Sequence, residues 1–176
     1  LGETLIQNIK ENDKVSIIAA YFTIYGFSQL KQELSKIDSL QLILSSGLFN
    51  IEDRPFFTDS LTDINGDKYE YRFKTQLNIH KVAKECADWI KTKVEIKSTK
   101  MPGVIGTNLI HLQGDNPTGI NISTSNLSAS DLGFAPNDKI TMNTVTHDPE
   151  VTEQMLNFFN QNWKNEALMT DVKNEV

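Results

Sequence analysis

"DKVSIIAAYFTIYGFSQLKQELSKIDSLQLIL", residues 13–44, is the stretch whose reading decides the fold. Its first apolar run, "VSIIAAYF" (15–22), is continuous and too short for a helix, which is the pattern of a strand buried on both faces. In the middle, Phe27, Leu30, Leu34 and Ile37 recur at spacings of three and four, so this part coils into a helix with one apolar face. "LQLIL" (40–44) is a second buried strand. Strand, helix and strand in that order make a crossover, and the two strands are expected to run parallel.

Working outward, "ETLIQNIKEN" (3–12) places Leu5, Ile6 and Ile9 on one face of a preceding helix. Residues 47–70 carry turn signals at Gly47, Pro55 and Asn65-Gly66 and read as a loop. "YRFKTQLNIHKVAKECADWIKT" (71–92) is the next helix, offering Phe73, Leu77, Val82, Cys86, Trp89 and Ile90 to the core. "KVEIKS" (93–98) is a third strand. A hairpin follows, from "VIGTNLIHLQ" (104–113) through a turn at 114–119 to "INIST" (120–124). "SNLSASDLG" (125–133) reads as a short helix capped by Ser125 or Asn126 and stopped by Gly133. "DKITMNTVT" (138–146) alternates like a strand. In "DPEVTEQMLNFFNQNWKNE" (148–166) Asp148 caps a last helix and Pro149 takes its first position. The expected fold class is α/β, a mixed and mainly parallel sheet flanked by helices on both faces. Residues 1–166 would form the domain, and 167–176 a tail or linker to a further domain.

The 176 residues, 39% apolar and 23% charged, suit one domain that folds without disulfides or metal. The apolar runs are far below the roughly 20 residues that span a bilayer, so a soluble, cytoplasmic protein is expected, with no membrane partner. Cys86, the single cysteine, reads as a core residue, with a reactive thiol as the alternative. The net charge of −6 argues against a general DNA-binding face, because a field of that sign repels phosphates. A local patch of Lys91, Lys93, Lys97 and Lys100 still allows DNA contact, with a solvated strand edge as the plainer reading. His80, His111 and His147 stand far apart without ligand spacing, so neither a metal site nor a cofactor is expected.

The element order, with "IIAAYFTIYGFSQLKQEL", "ISTSNLSASDLG" and "DPEVTEQMLNFFNQNW", resembles the phospholipase D-like family. The likeness is to the single-repeat domains found N-terminal to bacterial superfamily 2 helicases and in restriction-associated nucleases. In such enzymes a His-x-Lys pair precedes the hairpin and a small-Ser-x-Asn segment follows it. Histidine attacks phosphorus, while lysine and asparagine hold the non-bridging oxygens. Here the resemblance places Gly106 and Asn108 at the histidine and lysine positions, so the nucleophile and its cation are missing. Ser123, Thr124, Ser125 and Asn126 form the later segment, of which Ser125 and Asn126 keep their expected types. They read as a phosphate-binding end of a helix, or as helix caps alone. A rival register would make His111 the nucleophile; the plainer reading puts it at the sheet boundary beside Leu109.

The resemblance implies a non-catalytic accessory module of a larger DNA-processing protein, with a helicase motor in the same longer chain and homodimer formation. The alternative is an active phosphodiesterase or endonuclease working as a homodimer. A pure protein-contact module is the third reading.

Overall fold

A computed structural model describes residues 1–47, 79–124 and 126–174 of the chain. Four helices are described: α1 (Gly2–Asn8), α2 (Ile24–Lys36), α3 (Ile79–Lys93) and α4 (Pro149–Trp163). The strands are β1 (Lys14–Ala19), β2 (Tyr21–Phe22), β3 (Ser39–Leu44), β4 (Val94–Thr99), β5 (Asn108–Gln113), β6 (Thr118–Ile122), β7 (Asn126–Leu127), β8 (Thr144–Thr146) and β9 (Met169–Asp171). Seven of them form one sheet in the order β8-β6-β5-β1-β3-β4-β9, and β2 pairs with β7 apart from it.

The crossover read from residues 13–44 is present. β1 and β3 run parallel in unbroken register from Lys14 opposite Ser39 to Ala19 opposite Leu44. Between them, Thr23 caps α2 by accepting a hydrogen bond from Gly26 N at 3.0 Å. β4 adds a second parallel pairing on the far side of β3. The expectation of a mainly parallel sheet is corrected, because the pairings of β5 with β1, β6 with β5, β8 with β6 and β9 with β4 are all antiparallel. The β5–β6 hairpin accounts for one of these, since its short turn permits no other direction, and it docks directly against the central β1.

Alternation along the strands divides the core. One face carries Val15, Ile17, Leu40, Leu42, Val94, Ile96, Ile110, Leu112 and Ile120 and is covered by α1, α2 and α3. There Phe27 and Trp89 lie 5.1 Å apart between ring centroids, and Trp89 Nε1 donates to Leu34 O at 3.0 Å, which fastens α3 to α2. Cys86 is buried in this layer and its thiol is pushed up to about 12 by desolvation, so it serves as a core residue. The opposite face carries Ile18, Ile43 and Leu109 and is covered by α4 through Met155 and Phe159. Helices on both faces were expected and are found.

Several local expectations change. α1 ends at Asn8, and Ile6 is exposed while Leu5 and Ile9 are buried. Only Thr144–Thr146 of the 138–146 segment pair as a strand, and Ile140 and Met142 are exposed. The segment from Asn126 forms β7 and a single turn in place of the expected helix. β9 pairs with β4 and Val172 is buried, so the packed unit runs past the expected boundary at 166. The expected loop after Gly47, and Phe73 and Leu77 of the expected helix, lie outside the described residues.

Candidate functional site

Strand directions bring the two sequence-predicted segments to one end of the sheet. β5 runs against β1 and β6 runs against β5. The carboxyl ends of β1, β3, β4 and β6 therefore share an edge with the amino end of β5. Asn108 pairs with Ile122, so Gly106–Asn108 enters this end as Ser123 and Thr124 leave it. β2 and β7 close it with Tyr21 opposite Asn126. Carboxyl ends of strands are the usual ligand side of an α/β sheet.

Gly106 is exposed, and a Cβ built on it meets nothing within 4 Å. The position has room for a side chain and carries none. Asn108 is half-buried and neutral. Ser123 is exposed, but its hydroxyl accepts a hydrogen bond from Met142 N at 3.0 Å, and its own N–H donates to Asn143 Oδ1 at 3.3 Å. These side-chain bonds hold the 142–143 backbone to the end of β6 where strand pairing stops. Thr124 is buried and its hydroxyl donates to Asn126 O at 3.3 Å. Asn126 is buried in β7, and Ser125 lies outside the described residues.

The helix whose amino end was to hold an anion is absent here. Ser128, three residues beyond the expected caps' start, closes one turn instead. Its hydroxyl accepts from Asp131 N at 3.1 Å and donates to Asp131 Oδ2 at 2.7 Å, and Leu132 N donates to Ser128 O at 2.9 Å. Gly133 ends the turn at φ +88°, as the sequence suggested. The Ser128-x-x-Asp131 box closes a single turn before the glycine stop, so the capping residue is Ser128 and not the expected Ser125 or Asn126. The buried Asp131 carboxylate, 3.5 Å from Lys139 Nζ, also places a negative charge where the anion-site reading needed none.

Of the four lysines in the candidate patch, Lys93, Lys97 and Lys100 do not converge. Lys93 Nζ donates to Ser35 O and Ile37 O at the carboxyl end of α2. Lys97 Nζ donates to Trp163 O at 2.9 Å and lies 4.8 Å above the Trp163 ring, at the carboxyl end of α4. Lys100 Nζ reaches Glu166 O at 2.7 Å. These cations meet carbonyls at or just past the negative ends of helices, a structural use that strand sequence alone could not reveal.

His111 stands in the middle of β5, between Ser16 of β1 and Gly119 of β6, on the α4 face. It is 1% exposed, so the boundary position expected for it is corrected. Nδ1 has no hydrogen-bond partner among the described residues, and burial holds the ring's pKa below its ordinary value. His147 lies elsewhere, on the Thr118 hydroxyl at 3.1 Å. Among the described residues no group of three or more His, Cys, Asp and Glu side chains is placed to hold a metal ion. No helix among them is long and apolar enough to cross a membrane.

A buried neutral imidazole predicts an acid-sensitive fold. Because the folded pKa lies below the unfolded value of about 6.5, the unfolded chain takes the proton first, and stability falls as pH drops below about 6.5. His111→Leu should remove that slope and relieve the unpaired nitrogen, a gain of about 1 kcal/mol at pH 7.5 that grows at pH 5. Urea unfolding of both proteins at the two pH values measures it; an equal pH slope in the variant would assign the acid loss to other groups.

Compared with protein-family models and with curated proteins, the chain matches none.

Proposed function

We propose that the chain is a non-catalytic module of the phospholipase D-like kind, an accessory part of a larger DNA-processing protein such as a helicase, acting through contacts with protein. One observation supports this reading: the segments around Gly106–Asn108 and Ser123–Thr124 meet at one end of the sheet, and the resemblance assigns the nucleophile and cation positions to Gly106 and Asn108, neither of which can fill that role. Losing a covalent catalytic residue costs on the order of a millionfold in turnover in a well-characterised hydrolase. His111 offers no substitute, since a 1% exposed imidazole in the middle of a strand has no path to a phosphodiester. Protein contacts are favoured over nucleic acid because the ammonium groups of Lys93, Lys97 and Lys100 are engaged by backbone carbonyls and the net charge is −6.

The test has two arms. Hydrolysis of an activated phosphodiester and nicking of plasmid should stay at background for the wild type; turnover that His111→Ala abolishes would establish the active-enzyme reading instead. Binding of labelled single-stranded and duplex DNA, followed from roughly 50 to 300 mM salt, should be weak and nearly flat. Each phosphate contact adds about one unit to the slope of affinity against salt, so a steep slope reduced by Lys100→Ala would replace protein contacts by DNA contacts.

A further inference from the structure

On the face that α4 covers, the sheet changes from apolar to polar along its strands. Leu109, Ile18 and Ile43 stand opposite one another on β5, β1 and β3 and are core. Two residues nearer the amino ends of β1 and β3, the same face carries a polar row across four adjacent strands: His111, Ser16, Gln41 and Glu95. The row after that is Gln113, Lys14 and Ser39. A sheet face is apolar where a helix packs on it, so two polar rows mark a part of the face that meets something else. A groove of about 520 Å³ opens over Ser16, Gln41, Glu95 and the second row, walled by Leu156 and Asn160 of α4 and by Lys93 and Lys173.

Gln41 Nε2 donates to Glu95 Oε2 at 2.8 Å, which aligns the floor. Ser16, beside them, is 8% exposed, and its hydroxyl bonds to no described residue. A buried hydroxyl normally has a partner, so the partner of Ser16 is expected to come from the groove. The charge here is opposite to that of the molecule. Lys14, Lys93 and Lys173 line the groove against one carboxylate, Glu95, in a chain of net charge −6. Lys93 is positioned by Ser35 O and Ile37 O, and Lys173 by Lys91 O at 3.1 Å, each with a hydrogen to spare. The neighbouring Asp38 accepts from the Ser39 hydroxyl and Asp171 from Lys173 N, and neither lines the groove.

We propose that this groove binds a small polyhydroxylated anion of the sugar-phosphate class, with the phosphate on the lysines and the sugar hydroxyls on Ser16, Gln41, Glu95 and Asn160. Lysine holds phosphate as a point charge, a carboxylate accepts from hydroxyls, and side-chain amides both donate and accept. The volume is that of a small-molecule site. Val15, Leu40 and Val94 turn their side chains into the opposite layer, which leaves Leu156 as the one apolar side chain facing the ligand. Among the described residues no aromatic ring lines the groove, so nothing there stacks a nucleobase. The groove lies at the end of the sheet opposite Gly106–Asn108, and failure of either reading leaves the other standing.

NMR titration of the isotope-labelled chain should show the side-chain amide signals of Gln41 and Asn160 moving with ribose-5-phosphate, half-saturated below about 1 mM, with inorganic phosphate and ribose each at least about tenfold weaker. Lys14→Ala and Lys173→Ala should each weaken the sugar phosphate about tenfold, the contribution of a charge-assisted hydrogen bond, in a protein that stays folded. Gln41→Leu should weaken the sugar phosphate and leave inorganic phosphate unchanged. Lys31→Ala, on the opposite layer, should change neither. Three results would each overturn the proposal: signals that stay in place up to about 10 mM ribose-5-phosphate, inorganic phosphate binding as tightly as the sugar phosphate, or affinities untouched by both groove lysine variants.

Discussion

Gly26→Ala is expected to destabilise the protein by about 1–2 kcal/mol, although alanine is the better helix former. Gly26 lies in the first turn of α2, where its N–H is satisfied by the Thr23 hydroxyl. A Cβ added there would stand 2.3 Å from Leu127 O and 3.3 Å from Leu127 C. Those are backbone atoms of β7, and they cannot swing aside. Leu127 O also accepts from Thr23 N at 3.3 Å, and Leu127 pairs with Phe22. Relief of the clash must therefore lift the start of α2 off β7 or break that contact. Helix propensity contributes about 1 kcal/mol in favour of alanine, and the overpacking term opposes it with more. Against a total stability of roughly 5–15 kcal/mol the net loss is large. Urea unfolding should show a lower midpoint with the same slope, and a thermal midpoint lower by roughly 2–8 °C. Gly106→Ala is the matched control: the same substitution at an open, exposed position should leave the midpoint in place. A Gly26→Ala protein as stable as the wild type would mean that α2 and β7 do not approach this closely.

The same close approach shows what sequence could and could not convey. The crossover from β1 through α2 to β3 was legible because burial on two faces demands an unbroken apolar run, and burial on one face demands the three-and-four spacing of Phe27, Leu30 and Leu34. The start of α4 was legible for a local reason: the Asp148 carboxylate accepts from Glu150 N and Val151 N, each at 3.0 Å, and Pro149 needs no donor there. Contacts made only in three dimensions were hidden. Nothing near Gly26 in the chain names Leu127 as its neighbour. Lys93, Lys97 and Lys100 looked like one basic stripe, and the helix ends that engage them become neighbours only after the sheet has assembled.

The candidate site divides in the same way. That Gly106–Asn108 and Ser123–Asn126 should meet followed from the hairpin, and Asn108 opposite Ile122 meets that expectation. The uses of the individual side chains did not follow. Ser123 and Thr124 have hydroxyls of the right type for phosphate, yet both serve the local backbone. The alternation of residues 138–146 signalled a strand, of which Thr144–Thr146 are found. It could not signal that, among the described residues, only Thr144–Thr146 pair with another strand, and Ile140 and Met142 are exposed.

Phe159→Ala is expected to cost about 3–5 kcal/mol, more than the Gly26 substitution, because it empties the centre of a core layer. Phe159 is 0% exposed and fills the layer between α4 and the sheet with Ile18, Ile43, Ile105, Leu109, Met155 and Met169. Among the described residues α4 is the one helix over this face, and Phe159 is the side chain through which it is most deeply seated. The cost then combines lost transfer free energy with a cavity that stays open. Trp163, stacked on Phe159 at 5.6 Å between centroids, would lose that support, and Lys97 would lose the fixed ring beneath its ammonium group. Phe158→Ala provides the adjacent comparison, because its ring is exposed and its removal should change stability by less than about 1 kcal/mol. Calorimetry on both variants measures the difference, and equal unfolding midpoints would show that α4 does not seat Phe159 against the sheet.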